Sequence, residues 1–258
     1  MPATTRGAAG PRKPLLGAKA AYVLGVDGCR GGWVAVGRAL SNGRARVSVW
    51  HRFDALLAEI GANAGAIMVD MPIGLADFGK RGCEAMARQR LSPRRTSSVF
   101  PSPARPMLDF ADYADANAWG KSTGHGGLSK QAWMIAPKIR EIDALITPRH
   151  QAVLSEAHPE VAFARLNNDT PCQHPKKTEA GKAERIALLA AHGMRSAPAL
   201  FEKARRAARA LDHVSLADDD VIDACVLALT AKARLQGNAI QLTDGARDAR
   251  GLLMEIWG

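Results

Sequence analysis

The chain is short of the residues on which several whole classes of protein depend. Its 258 residues include only 4 cysteines. Cys29, Cys83, Cys172 and Cys225 form no CxxC pair, which argues against a disulfide scaffold or zinc finger and fits reduced thiols in the cytoplasm. No apolar run approaches the roughly 18 residues of a membrane span. Residues 1–20 are rich in Ala, Gly, Pro and basic side chains but lack the apolar stretch of an export signal, so a disordered basic tail is expected there. Aromatic residues make up 5%, little material for stacking on bases. No Gly/Ser linker divides the remainder, so residues 21–258 are expected to fold as a single domain.

Three familiar catalytic motifs are also missing. Gly120-Lys121-Ser122 has Asp115 where a phosphate-binding loop needs its first glycine, and no strand precedes it. Gly25, Gly28 and Gly31 depart from the dinucleotide spacing and lead into a strand where that fingerprint needs a helix. No serine stands in a GxSxG elbow.

Positive charge is what the chain has in excess. The formal net charge is +10 and the pI about 9.8, a balance that favours contact with a polyanion. Much of it lies in residues 78–106, where Lys80, Arg81, Arg88, Arg90, Arg94, Arg95 and Arg105 face only Glu84. A solvated basic surface would account for the same run.

Apolar patterning gives an order of elements. Residues 22–26, 33–40 and 44–50 read as strands, the last two joined by Asn42-Gly43, a strong hairpin signal. Asp54 is placed to cap a helix ending near Gly61, and a strand at 66–69 follows. Residues 75–150 read as a long Pro- and Arg-rich insertion with helical pieces at 83–90 and 129–146, too sparsely apolar for a core of its own. His125, among glycines, suggests a mobile loop. A strand near 152–154, helices at 178–192 and 195–213, and an apolar helix from Asp218 to about Leu235 come next, with Arg205, Arg206 and Arg209 exposed. Residues 239–242 suit a short edge strand. The pattern is that of an α/β layer with a mixed sheet.

Against that background four carboxylates stand out. Asp27 and Asp70 each end an apolar strand, and Asp220 and Asp223 share one face at the start of the apolar helix. Buried carboxylates are costly unless a cation shares the site, and a divalent metal is the simplest one. Asp218 and Asp219 are explained by helix capping. Glu156 offers a further ligand from the strand after the insertion, and His158 beside it has a structural role before Pro159 as its alternative.

The runs Gly25-Val-Asp27-Gly28-Cys-Arg30-Gly-Gly-Trp33, Asp70-Met-Pro72-Ile-Gly74, Ser97-Ser98-Val-Phe100-Pro101, Pro137-Lys138-Ile-Arg-Glu141, Glu156-Ala-His158-Pro159-Glu160 and Asp219-Asp220-Val-Ile-Asp223 together resemble the predicted RNase H-like nuclease family, domain of unknown function 429. The resemblance spans about residues 22–235. It implies an RNase H-like mixed sheet, three antiparallel strands and then parallel ones, flanked by helices. It also implies that Asp27, Asp70, Asp220 and Asp223 are the catalytic acids. One departure is that the related resolvases usually carry Glu where Asp70 stands.

The expected chemistry is hydrolysis of nucleic-acid phosphodiesters by Mg2+ or Mn2+ in a two-metal scheme, with ions roughly 4 Å apart. Asp27, Asp70, Glu156, Asp220 and Asp223 are the candidate ligands. Arg94, Arg95, Ser97, Ser98, Arg105 and Lys138 are the candidate substrate contacts, with Lys176 behind them. Two alternatives stay open: phosphate transfer of the sugar-kinase or ATPase kind, and nucleic-acid binding without catalysis.

Overall fold

Alternation of side chains sorts the first strand into two faces. In the computed structural model, which describes residues 20–258, β1 (Tyr22–Cys29) sends Leu24 and Val26 into one apolar cluster and Val23 into another. Gly25 and Asp27 share the Val23 side by the two-residue period. The expected tail over residues 1–20 lies, apart from Ala20, outside the described residues.

β1 is the centre of a five-stranded sheet of order β3-β2-β1-β4-β5. It runs antiparallel to β2 (Gly32–Ala39), which in turn pairs antiparallel with β3 (Ala45–Trp50). On its other edge β1 pairs in parallel with β4 (Ala64–Val69), and β4 with β5 (Leu154–Glu156). Gly43 adopts φ 70°, the left-handed conformation that an Asn-Gly hairpin turn requires. Three antiparallel strands followed by parallel ones, as the sequence suggests, are therefore present.

Helices cover both faces. The first, α1 (Phe53–Leu56), runs directly into a wider π turn over Leu57–Gly61. Asp54 does not cap it. Arg52 is the residue before the helix, Asp54 pairs with Arg52, and the free Phe53 N–H is met by the carboxylate of Glu141.

Residues 75–150 carry α2 (Gly82–Arg90), α3 (Tyr113–Ser122) and α4 (Lys130–Leu145). Ile139 and Ile142 of α4 pack with Phe53, Leu56 and the Leu24 face of the sheet. The segment also has a small core that its sparse pattern conceals. Ala104, Met107, Ala116, Leu128 and Ala132 are buried together, walled by Tyr113, Trp119 and Trp133. The apolar groups come from separate short pieces, so no single periodic stretch announces them. His125 likewise departs from expectation: it is buried, with Nε2 3.2 Å from the Ser102 carbonyl oxygen.

The Val23 face is covered by α5 (Pro159–Leu166), α6 (Glu179–Ala191), α7 (Ala197–Arg209) and α8 (Asp218–Leu235). Arg206 and Arg209 of α7 are exposed, but Arg205 is half-buried and pairs with Asp218. The last strand suggested by sequence is not an edge of the main sheet. β6 (Gln241–Leu242) pairs instead with β7 (Ile256–Trp257) in a two-stranded ribbon. No helix of the described residues is long and apolar enough to cross a membrane.

Candidate metal centre

Strand register and one glycine bring distant acids together. Val26 of β1 is level with Val69 of β4, and the Asp70 N–H donates to the Val26 carbonyl at 3.0 Å. Asp27, two residues before the end of β1, and Asp70, just after β4, thus stand side by side toward the carboxyl ends of neighbouring parallel strands, on the face that α8 covers. That helix lies unusually close. A Cβ on Gly25 would fall 2.1 Å from the Ala224 carbonyl oxygen and 2.2 Å from the Ala228 nitrogen, so only a bare backbone fits. The close crossing carries Asp223, one residue before Ala224, to the strand ends. Ligand oxygens of Asp27, Asp70 and Asp223 all lie within 4.8 Å of one another.

Burial and mutual repulsion make this cluster costly when charged. Asp27 is raised well above the usual carboxylate range by burial and then by the charges of Asp70, Asp223 and Asp220. Burial and Asp223 push Asp70 up to about 7. Asp223 is raised by burial, although Lys176 opposes the rise. Lys176 is the cation at hand: its Nζ lies 2.7 Å from Asp223 Oδ2 and 4.0 Å from Asp219. Burial would lower its pKa, but the attraction of Asp223 and Asp27 outweighs that and raises it. The second carboxylate oxygen of Asp223 is buried and has no hydrogen-bond partner. A hard-oxygen donor set with an orphaned carboxylate oxygen fits a divalent cation.

The other acids of α8 divide the work differently from the sequence expectation. Neither Asp218 nor Asp219 caps the helix. Asp218 pairs with Lys182 and Arg205, and it is Asp220 that accepts the Ala217 N–H at 2.8 Å. Asp220 is nevertheless pushed up to about 6, by burial first and by Asp219 and Asp223 among its neighbours. It stands beside the triad with its carboxylate turned to the helix end.

Glu156 is not a ligand of this centre. β5 sets it level with Val69, not Asp70, so the pleat turns it to the opposite face of the sheet. There Arg81 pairs with it and the Ile73 N–H donates to it at 2.8 Å. Burial still pushes it up to about 7 against the pull of Arg81. His158 serves structure: Nδ1 accepts the Glu160 N–H that opens α5, and Nε2 lies 3.2 Å from the Ser98 carbonyl oxygen.

Among the suggested substrate contacts, two arginines are already engaged. Arg105 is shared by Asp143 and Asp248, and Arg95 donates to the carbonyls of Cys172 and Gln173. Both tie loops together, which is what a guanidinium fork does when carboxylates or carbonyls surround it. Arg94 and Ser97 remain exposed, and Ser98 is half-buried. Lys138 does reach the acidic end of the sheet: it donates to the Gly32 carbonyl and lies 4.4 Å from the Trp33 ring centroid. Burial lowers its pKa although Cys29, Glu141 and Asp27 pull the other way.

Sequence reasoning undervalued Lys176. It stands two residues before Thr178, whose side chain caps α6, and that capping signal fixes the segment's path past Asp223. All 4 cysteines are free and buried.

Comparison with curated proteins and with solved structures finds no match. The profile of one family, described as "Protein of unknown function (DUF429)", matches residues 25–247. That span holds all three converging aspartates and most of the chain, and the protein belongs to this family.

Proposed function

We propose that the protein is a metal-dependent phosphodiesterase acting on nucleic acid, with Asp27, Asp70 and Asp223 holding Mg2+ or Mn2+. The observation that carries this reading is the convergence of those carboxylates within 4.8 Å, from two strands and a helix, in a buried place. Such a cluster without a strong cation is an unstable arrangement of like charges. The order of strands, with acids late in β1 and just after β4 and another entering on the late helix α8, is the arrangement expected of an RNase H-like enzyme, and that likeness supports the reading.

Bound there, the cation would supply the Lewis-acid charge that activates water and offsets charge developing on the phosphate. The chain's own groups hold the acids in place. The Gly28 N–H donates to Asp27 Oδ1 at 2.7 Å and fixes that carboxylate against the strand end. The parallel ladder fixes Asp70, and the Gly25 contact fixes Asp223. Lys138, pinned between a carbonyl and the Trp33 ring, approaches from the Gly28 side of β1 and adds positive charge at the rim of the site, where Asp27 acts on it after Cys29 and Glu141. A two-cation form of the scheme also calls on Asp220, which would have to leave the Ala217 N–H. The net charge of +10 favours encounter with a polyanion. Buried free thiols suit a reducing, cytoplasmic setting.

The test is incubation of the purified chain with single-stranded, duplex and branched DNA and with RNA, in Mn2+ or in EDTA. Cleavage that needs Mn2+ and disappears in Asp27→Asn is the expected result. Cleavage that persists in EDTA would overturn the reading. Binding that survives Asp27→Asn with no cleavage of any substrate would point to a nucleic-acid binder instead.

A further inference from the structure

Lys176 occupies the position a metal would contest. Its ammonium is 2.7 Å from Asp223 Oδ2, yet its side chain is 39% exposed while that of Asp223 is 1% exposed. The lysine is therefore a cation laid over a buried carboxylate from the solvent side. It also lines a cleft of about 580 Å3 between the start of α6 and the start of α8.

The charge of that cleft is balanced. Its basic lining residues, Lys176, Lys177, Lys182 and Arg205, are matched by as many carboxylates. Lys182 and Arg205 are both held by Asp218. As it stands, the cleft offers a polyanion no net attraction.

A divalent ion on Asp223 would repel an ammonium so near the same carboxylate. The lysine has a flexible stem and open space beside it, so it is the group that yields. We propose that Lys176 is an internal counter-ion of the aspartate cluster, displaced by the incoming metal into this cleft, where its released ammonium binds a phosphate of the substrate. The proposal rests on the metal-dependent reading above and assigns its substrate contact. Metal loading then does two things at once: it neutralises the aspartates, and it frees from Asp223 an ammonium already among the lining charges of the cleft, so that a phosphate can pair with it. Phosphate binding in the cleft becomes conditional on metal.

The experiment is calorimetric titration of the full chain with Mn2+ at neutral pH, comparing wild type with Lys176→Met, Lys176→Gln and Lys176→Arg. Removing a competitor tightens binding, whereas removing a merely structural lysine would loosen it. The Met and Gln variants are expected to bind Mn2+ at least about fivefold more tightly, the low end of ordinary coupling between linked sites. The Arg variant should stay near wild type. Using both Met and Gln keeps the test decisive if one of them folds poorly. Mn2+ affinity that is equal or weaker in the folded neutral variants overturns the proposal.

A second readout uses a fluorescein-labelled phosphorothioate oligonucleotide with Mn2+ present. The salt dependence of its binding should lose about one unit of slope in the neutral variants, as expected for one lost phosphate contact. An unchanged slope overturns the phosphate assignment. If wild type takes up Mn2+ and cleaves while the variants bind it no more tightly, this inference fails alone. If no form takes up Mn2+, the metal reading fails and this inference with it.

Discussion

The backbone of Ala224 approaches Gly25 so closely that a methyl group on the glycine would lie 2.1 Å from the Ala224 carbonyl oxygen. Because the obstacle is helix backbone, nothing can rotate away. Gly25→Ala must push α8 off the sheet, and overpacking of that kind costs about 3 kcal/mol or more. The same movement carries Asp223 away from Asp27. The expected outcome is a lower denaturant midpoint together with weaker Mn2+ binding. Loss of stability with unchanged Mn2+ affinity would show that the crossing does not position the site.

The aspartate cluster should make the metal-free protein less stable as pH rises. Asp70 has its pKa raised from 3.8 to about 7, so between those values the folded chain holds a proton that the unfolded chain has lost. Stability from this group is complete below about pH 4 and is lost as pH climbs through about 7, a change of a few kcal/mol at most. Thermal unfolding in EDTA should therefore show wild type losing stability relative to Asp70→Asn between about pH 4 and pH 7 and little further change above. Added Mn2+ should stabilise wild type more at the upper end, where the carboxylates bind metal without first releasing a proton. A wild-type-minus-variant difference that does not change with pH would contradict the shift.

Asp220 and Asp223 differ in role although they share a helical face. Asp223 is buried beside Asp27, whereas Asp220 accepts the Ala217 N–H at 2.8 Å. Asp223→Asn should abolish measurable cleavage and Mn2+ binding. Asp220→Asn should weaken them by roughly 10- to 100-fold, the range for groups supporting a metal site from outside. Equal losses in kcat for the two variants would place Asp220 among the ligands, as a two-cation scheme demands.

How much of this was legible in the sequence depended on whether the signal was local. The hairpin at Asn42-Gly43, the strand-end acids Asp27 and Asp70 and the run of α8 were readable, because each is set by period or by turn chemistry. The role of Glu156 was not. Its direction follows from a register with Val69 that only the assembled sheet fixes, and a shift of one residue reverses it. Arg95 and Arg105 looked like ligand-binding groups because their partners, Cys172 and Gln173 for one and Asp143 and Asp248 for the other, lie far along the chain. Lys176 ranked only behind the other substrate contacts for the same reason: its partner Asp223 lies on a helix, 47 residues further along the chain.

Glu156 supplies the sharpest contrast between structural and catalytic acid. Arg81, itself buried, pairs with Glu156 and lies 3.4 Å from Glu84. Replacing the arginine by methionine would leave both carboxylates buried without a cation, which costs about 3–5 kcal/mol for a broken buried pair. Arg81→Met should therefore unfold at markedly lower denaturant, or fail to accumulate. Glu156→Gln is milder, because the amide oxygen can still accept the Ile73 N–H, and it leaves the opposite face of the sheet untouched. Its Mn2+ affinity and cleavage rate per folded molecule should match wild type within about twofold, since the change lies outside the site and such effects are nearly additive. A Glu156→Gln variant that keeps its stability but loses Mn2+ would mean that Glu156 turns to the metal when the site fills, and that its bond to Arg81 yields in the process.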